Sequence, residues 1–270
     1  MMKEMTAKEL YAVLEEEFRP WECTEVFERI GLQFHNTDIV KKVYTATFAS
    51  SEVLDQLEQC GASDCLLFTH HPVPQKEDLL KEYPPIPQDV VERLAANRIT
   101  LFTYHIPLDR IGPWSVGINL AKAIGVTPEE EFYEQNQVNM GLICSSPYET
   151  VAELAEAIRR ELGHDIKIYP YGDDKLPGGR MALMGGGASN PAIYEELRRK
   201  GINVFFTGMT TPEVPWIARI HEAARAAGVT LIGGCHYSTE KYAPMAMVKF
   251  FEGLGMEAEF IEETPHLGEM

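Results

Sequence analysis

Three short segments of the chain set histidine beside groups able to share a metal ion with it. They are THHP, with His70 and His71; YHIPLD, with His105 and Asp109; and CHYSTE, with His236 and Glu240. Imidazole is the commonest metal-ligating side chain, and carboxylate oxygen often joins it at divalent cations. His105 and Asp109 are four residues apart, as are His236 and Glu240. One helical turn or a tight loop puts both members of such a pair on one face. His71 precedes Pro72, which biases it toward an extended backbone. Four imidazoles and two carboxylates are more than one tetrahedral zinc needs. They suit two metals a few ångströms apart, bridged by a carboxylate or a water. Nitrogen and oxygen donors without thiolate fit Zn, Fe, Mn, Co or Ni. A lone strand-end histidine is more often structural; the recurrence of three such segments is what favours a metal.

Something must bring these segments together, and each follows a β-rich run. CLLFTHH (65–71), ITLFTYH (99–105) and VTLIGG (229–234) lead into the three. Ligand sites of open α/β sheets lie at the carboxyl ends of strands, where pieces far apart in sequence can converge. Further β-rich runs cover 43–49, 138–144, 166–171, 181–187, 204–209 and 257–263. Amphipathic helical patterns over 51–61, 88–98, 148–163, 190–201 and 215–228 alternate with them. A first helix opens on a capping-box pattern, Thr6 with Glu9. The alternation predicts an α/β fold of helices packed on sheets. GASDCLLFTHHP (61–72) is echoed by GINVFFTGMTTP (201–212), so two related α/β units are expected. The proline-rich, charged stretch 72–87 reads as a long surface loop, and 125–137 as a softer break.

The 270 residues are 45% hydrophobic and 24% charged, an ordinary globular composition. A formal charge of −17 argues against nucleic acid or an anionic membrane as the main partner. No apolar run has the length of a membrane span, and the N-terminal stretch has no apolar signal core. A cytoplasmic protein is the expectation. Five cysteines, an odd number without a CxxC, read as reduced thiols.

Weaker features have plainer readings. GGGASNP (185–191) is expected to be a tight strand-to-helix turn rather than a phosphate cradle, because it lacks the P-loop lysine. Arg180 could face an anion, and Ser238 could cap the helix carrying Glu240. Cys235 abuts His236, but adjacency alone does not make a nucleophile. His35, His164, His221 and His266 are expected on the surface.

With these residues in view, the chain resembles the dinuclear metal centre family, relatives of the Ngg-interacting-factor-three protein often labelled GTP cyclohydrolase type-two homologues. IGLQFHN (30–36), FTHHPV, YHIPLD, LMGGGASN, FFTGM and GGCHYSTE carry the likeness across nearly the whole chain. The resemblance implies two metal ions held by His70, His71, Asp109, His236 and Glu240, with His105 lining the site. It implies two interleaved α/β domains: residues 1–127 with 230–270 as the metal-binding domain, and 128–229 as the second. It also implies a toroidal homohexamer whose metal sites face an internal cavity. Two positions depart from the family pattern. Met209 stands where an acidic residue is usual, and Glu213 where a histidine is common.

The expected function is hydrolysis of a nucleotide or related phosphoester by a metal-activated water, cyclohydrolase-like, with His105 acting as general base or orienting the water. The cofactor would be a pair of divalent transition metals such as Zn, Fe or Mn. The alternative is a non-catalytic metal-binding ring with a regulatory, chaperone or adaptor role, since a fold with a metal site does not fix a reaction.

Overall fold

Every residue of the strand Cys65–His71 is buried, which accounts for its nearly unbroken apolar run. It pairs in parallel with Lys42–Phe48 on one side and Ile99–Thr103 on the other. Glu257–Phe260 adds in parallel beyond Lys42–Phe48, and Gly31–Phe34 antiparallel beyond Ile99–Thr103. The result is a five-stranded mixed sheet. Helices Ser51–Gln59 and Gln88–Ala96 bury Val53, Leu54, Leu57, Val90 and Leu94 against Leu67 and Leu101 of its strands. The computed structural model describes residues 5–27, 29–75, 79–80 and 85–270. Of the expected loop 72–87, residues 76–78 and 81–84 therefore lie outside the described residues.

A second sheet has six strands in the order Thr127–Gln135, Val138–Ser145, Arg180–Leu183, Val204–Thr207, Thr230–Gly233 and Lys167–Tyr169. Its third, fourth and fifth strands run parallel, the second and sixth pair antiparallel with them, and the first pairs antiparallel with the second. The helix Val151–Leu162 opens on a capping box of Thr150 and Glu153 and closes on Gly163 at φ 75°. Its Leu154, Ile158 and Leu162 pack against Leu183, Phe206 and Ile232. The fold is α/β with two mixed sheets packed by helices, as the alternation predicts. The two echoing segments hold similar places: Cys65–His71 and Val204–Thr207 each pair in parallel with a strand on both sides.

Two expectations about organisation change. The break expected at 125–137 is the edge strand Thr127–Gln135 and its hairpin turn into Val138–Ser145. Its solvent side carries Glu129, Glu131 and Glu134, and charges on an edge strand read as loop in sequence while protecting the edge. The compact units are Met1–Leu108 with Ala243–Thr264, and Asp109–Tyr242 with Pro265–Met270. The expected division had been 1–127 with 230–270 against 128–229. Thr230–Gly233 pairs in parallel with Val204–Thr207, which ties it to the second sheet. No helix among the described residues is long and apolar enough to cross a membrane.

Candidate metal centre

In the first unit, the strand Cys65–His71 leaves the ladder with Ile99–Thr103 after Thr69, while its other edge stays paired as far as His71 with Phe48. The one-sided release frees the strand end from strict alternation. His70 and His71 are both buried, and their rings lie 4.5 Å apart between centroids. His105, just past Ile99–Thr103, places its ring 5.1 Å from His70 and 4.8 Å from His71. One ring nitrogen from each of the three lies within 4.8 Å of the others. Phe48 stacks on His71 at 4.6 Å, and Phe27 meets His71 and His105 edge-on at 6.0 and 5.0 Å. The cluster therefore has aromatic walls.

Hydrogen bonds set the tautomers. His70 Nδ1 is 3.2 Å from the Tyr104 carbonyl, which can only accept, so Nδ1 carries the proton and Nε2 the lone pair. His105 Nδ1 is 2.8 Å from Glu25 Oε1, which assigns it the same form. The other Glu25 oxygen accepts the Ile106 N–H at 3.0 Å. Glu25 thus grips both the ring and the start of the short helix Ile106–Asp109. Burial alone would raise the Glu25 carboxyl. Hydrogen bonds from His105 and from the Val26 and Ile106 N–H groups outweigh it and hold the carboxyl below its ordinary range. Sequence reasoning missed Glu25. It lies 80 residues from His105 in a segment with no periodic pattern.

The second unit has buried donors of its own. Asp109, buried, ends the helix Ile106–Asp109, one turn after His105. The strand Thr230–Gly233 turns sharply through Gly234 and Cys235 into the helix His236–Glu240, all of whose residues are buried. His236 Nε2 and Glu240 Oε2 stand 3.0 Å apart. The glycine segment lies against this pair. Gly186 has φ 63°, and a Cβ there would fall 2.1 Å from Glu240 Oε1 and 3.4 Å from His236 Cδ2. The expected tight turn is present, and its glycine is required by the approach of Glu240.

Several minor expectations need correction. Arg180 faces no free anion site: Glu129 holds it at 3.0 Å, with Glu130 beyond. Ser238 is not the cap; Cys235 occupies that position, and Ser238 Oγ instead bonds His164 Nε2 at 2.7 Å. His164 is accordingly half-buried. His221 is buried, with Nδ1 2.9 Å from the Tyr171 hydroxyl and Nε2 2.7 Å from the Thr210 carbonyl, a satisfied core histidine. His35 and His266 are exposed as expected. Cys235 is fully buried, and burial pushes its thiol up, away from nucleophilic character.

The donor chemistry fits divalent transition metals. Lone pairs on two buried or half-buried imidazoles are fixed by acceptors on the opposite ring nitrogen, the usual arrangement around ligating histidine. At 3.0 Å apart, His236 Nε2 and Glu240 Oε2 are close enough for one ion to lie about 2.1 Å from both.

A Neisseria meningitidis serogroup A protein named GTP cyclohydrolase 1 type 2 homolog is 27% identical over 266 residues, spanning 94% of this chain and 99% of that protein. Its Borreliella burgdorferi namesake is 26% identical over 240 residues, spanning 88% and 89%. Among solved structures, ybgI, a structural-genomics protein of unknown function, has a TM-score of 0.80 at 23% identity over 97% of this chain and 100% of its own. A Bacillus cereus protein related to NIF3 has a TM-score of 0.71 at 15% identity over 98% of both chains. These likenesses show the fold. The family model described as Duf34/NIF3 (NGG1p interacting factor 3) matches residues 5–266, and the chain belongs to that family.

Proposed function

We propose that His70, His71, Asp109, His236 and Glu240 together hold two divalent transition metal ions, and that the chain is a metal-dependent hydrolase of a nucleotide or related phosphoester. The observation that carries this is the fixed, inward tautomer of the buried histidine cluster, His70 by the Tyr104 carbonyl and His105 by Glu25. Ions bound there supply Lewis-acid activation of a carbonyl, a phosphoryl group or water. His105 acts as general base: Nε2 takes the proton of the attacking nucleophile while Glu25 keeps Nδ1–H in place and stabilises the imidazolium. Phe27 and Phe48 limit water around the cluster, which strengthens its electrostatics. The names of the Neisseria and Borreliella relatives support a purine nucleotide as the first substrate to try. A toroidal homohexamer is part of the same proposal.

The test is a panel of GTP, other nucleotides and simple phosphoesters with added Zn, Mn or Fe. Wild type is expected to turn over at least one. His70→Ala should abolish that turnover, and His105→Ala should lower kcat by about 10²- to 10⁴-fold. Metal uptake without turnover across the panel would contradict the hydrolase and favour a metal-binding ring with a regulatory or adaptor role.

A further inference from the structure

The helix His236–Glu240 begins without a cap of its own. Its N-cap residue, Cys235, makes no side-chain capping bond and sits at φ 67° and ψ 147°, a conformation that suits glycine. So short a helix has little internal hydrogen bonding to fix its direction. The His236 N–H is met instead by a carboxylate 33 residues on, Glu269 Oε2, at 3.0 Å. A negative group at a helix N-terminus is electrostatically favoured.

Glu269 does more than cap. Its carbonyl accepts the N–H groups of Thr210 and Thr211 at 2.8 and 3.1 Å. Thr210 and Thr211 follow Val204–Thr207, and Cys235 follows Thr230–Gly233, the adjacent parallel strand. One buried residue thereby ties together the loops at the carboxyl ends of two neighbouring strands. At the other end of the helix, Thr239 Oγ1 accepts the Gly186 N–H at 3.0 Å. The backbone that aims His236 at Glu240 is pinned at both ends, and Glu269 is the charged pin.

We propose that Glu269 is a positioning residue of the metal centre: by holding the His236 N–H, its carboxylate sets the orientation in which His236 Nε2 meets Glu240 Oε2, and with it the affinity of that half-site for a divalent cation. The inference rests on the metal-centre reading above. It assigns Glu269 no contact with the ion.

The test titrates Co²⁺ into demetallated wild type, Glu269→Ala and Glu269→Gln, read by calorimetry and by the visible cobalt spectrum, beside thermal melting of the metal-free proteins. Glu269→Ala is expected to lower the affinity of one class of ion by about 10- to 100-fold and to change its cobalt bands. Glu269→Gln keeps an oxygen able to accept the same N–H, and is expected to restore most of the affinity and the wild-type bands. A purely structural role would lower the metal-free melting temperature and leave the cobalt spectrum unmoved. If Glu269→Ala does not fold, Glu269→Asp replaces it; its carboxylate, one methylene back, falls short of the N–H, and the same loss is expected. Unchanged cobalt affinity and spectrum in whichever of these variants folds overturns the inference. Wild type that takes up no cobalt defeats the metal-centre reading and this inference with it, and is recognised without any variant.

Discussion

Gly186→Ala is expected to destabilise the protein by about 1–2 kcal/mol through the backbone alone and to weaken divalent-metal binding at the Glu240 half-site by about 10- to 100-fold. The backbone cost follows from φ 63°, a left-handed value that an L side chain adopts only with strain. The metal effect follows from the new methyl group, which would sit 2.1 Å from Glu240 Oε1. Something must move, and the main chain is held from both directions. The Gly186 N–H donates to Thr239 Oγ1 at 3.0 Å, and its carbonyl accepts from the Gly208 and Met209 N–H groups at 2.9 and 3.0 Å. The Glu240 carboxylate is the mobile partner. Displacing it breaks the 3.0 Å relation to His236 Nε2. Chemical denaturation and zinc titration of the variant check both parts. Wild-type stability together with wild-type affinity would contradict the placement of Glu240.

Glu263→Gln is expected to stabilise the protein at alkaline pH and to leave it nearly unchanged near pH 5. The Glu263 carboxyl is buried, and burial pushes it up from about 4.5 to about 8, against the lowering effect of hydrogen bonds from the Phe48 N–H, the Ser50 hydroxyl and the Thr47 N–H. Those bonds are 3.0, 3.0 and 3.1 Å long. The sign follows from proton counting. Between about pH 4.5 and 8 the folded protein keeps a proton that the unfolded chain has released, so stability falls as pH rises through that window. Below it, both states are protonated and the group costs nothing. Above it, both are ionised and the cost is complete, of order a few kcal/mol. An amide cannot ionise. Its oxygen can accept the two N–H bonds and its NH₂ can face Ser50, much as the protonated acid does. Urea unfolding at pH 5 and pH 8.5 should show the stability difference between variant and wild type growing with pH. A difference equal at both pH values would show that Glu263 is already ionised in the folded state.

Much of the site was legible because strand ends carry local signals. In CLLFTHHP an apolar run, two histidines and a proline mark where a buried strand stops, and Cys65–His71 has those bounds. The four-residue spacings became the short helices Ile106–Asp109 and His236–Glu240. Partners that act across the fold left no such trace. Glu25 reaches His105 from a loop 80 residues away, and Glu269 reaches His236 from 33 residues on. Neither lies in a periodic pattern, and an isolated glutamate reads as surface. The strand Thr127–Gln135 was hidden by its own glutamates, since edge protection imitates a loop. His221 was misplaced for a related reason. Its burial depends on a Tyr171 hydroxyl and a Thr210 carbonyl that only tertiary structure assembles.

The central claim is that these histidines and carboxylates hold metal, and elemental analysis of protein purified without a metal-affinity tag tests it most directly. The expected result is about two transition-metal ions per chain in wild type, with the content reduced in both Asp109→Ala and His236→Ala. Wild type free of metal, and taking up none when offered Zn, Mn or Fe, would contradict it and leave the clustered histidines as core residues.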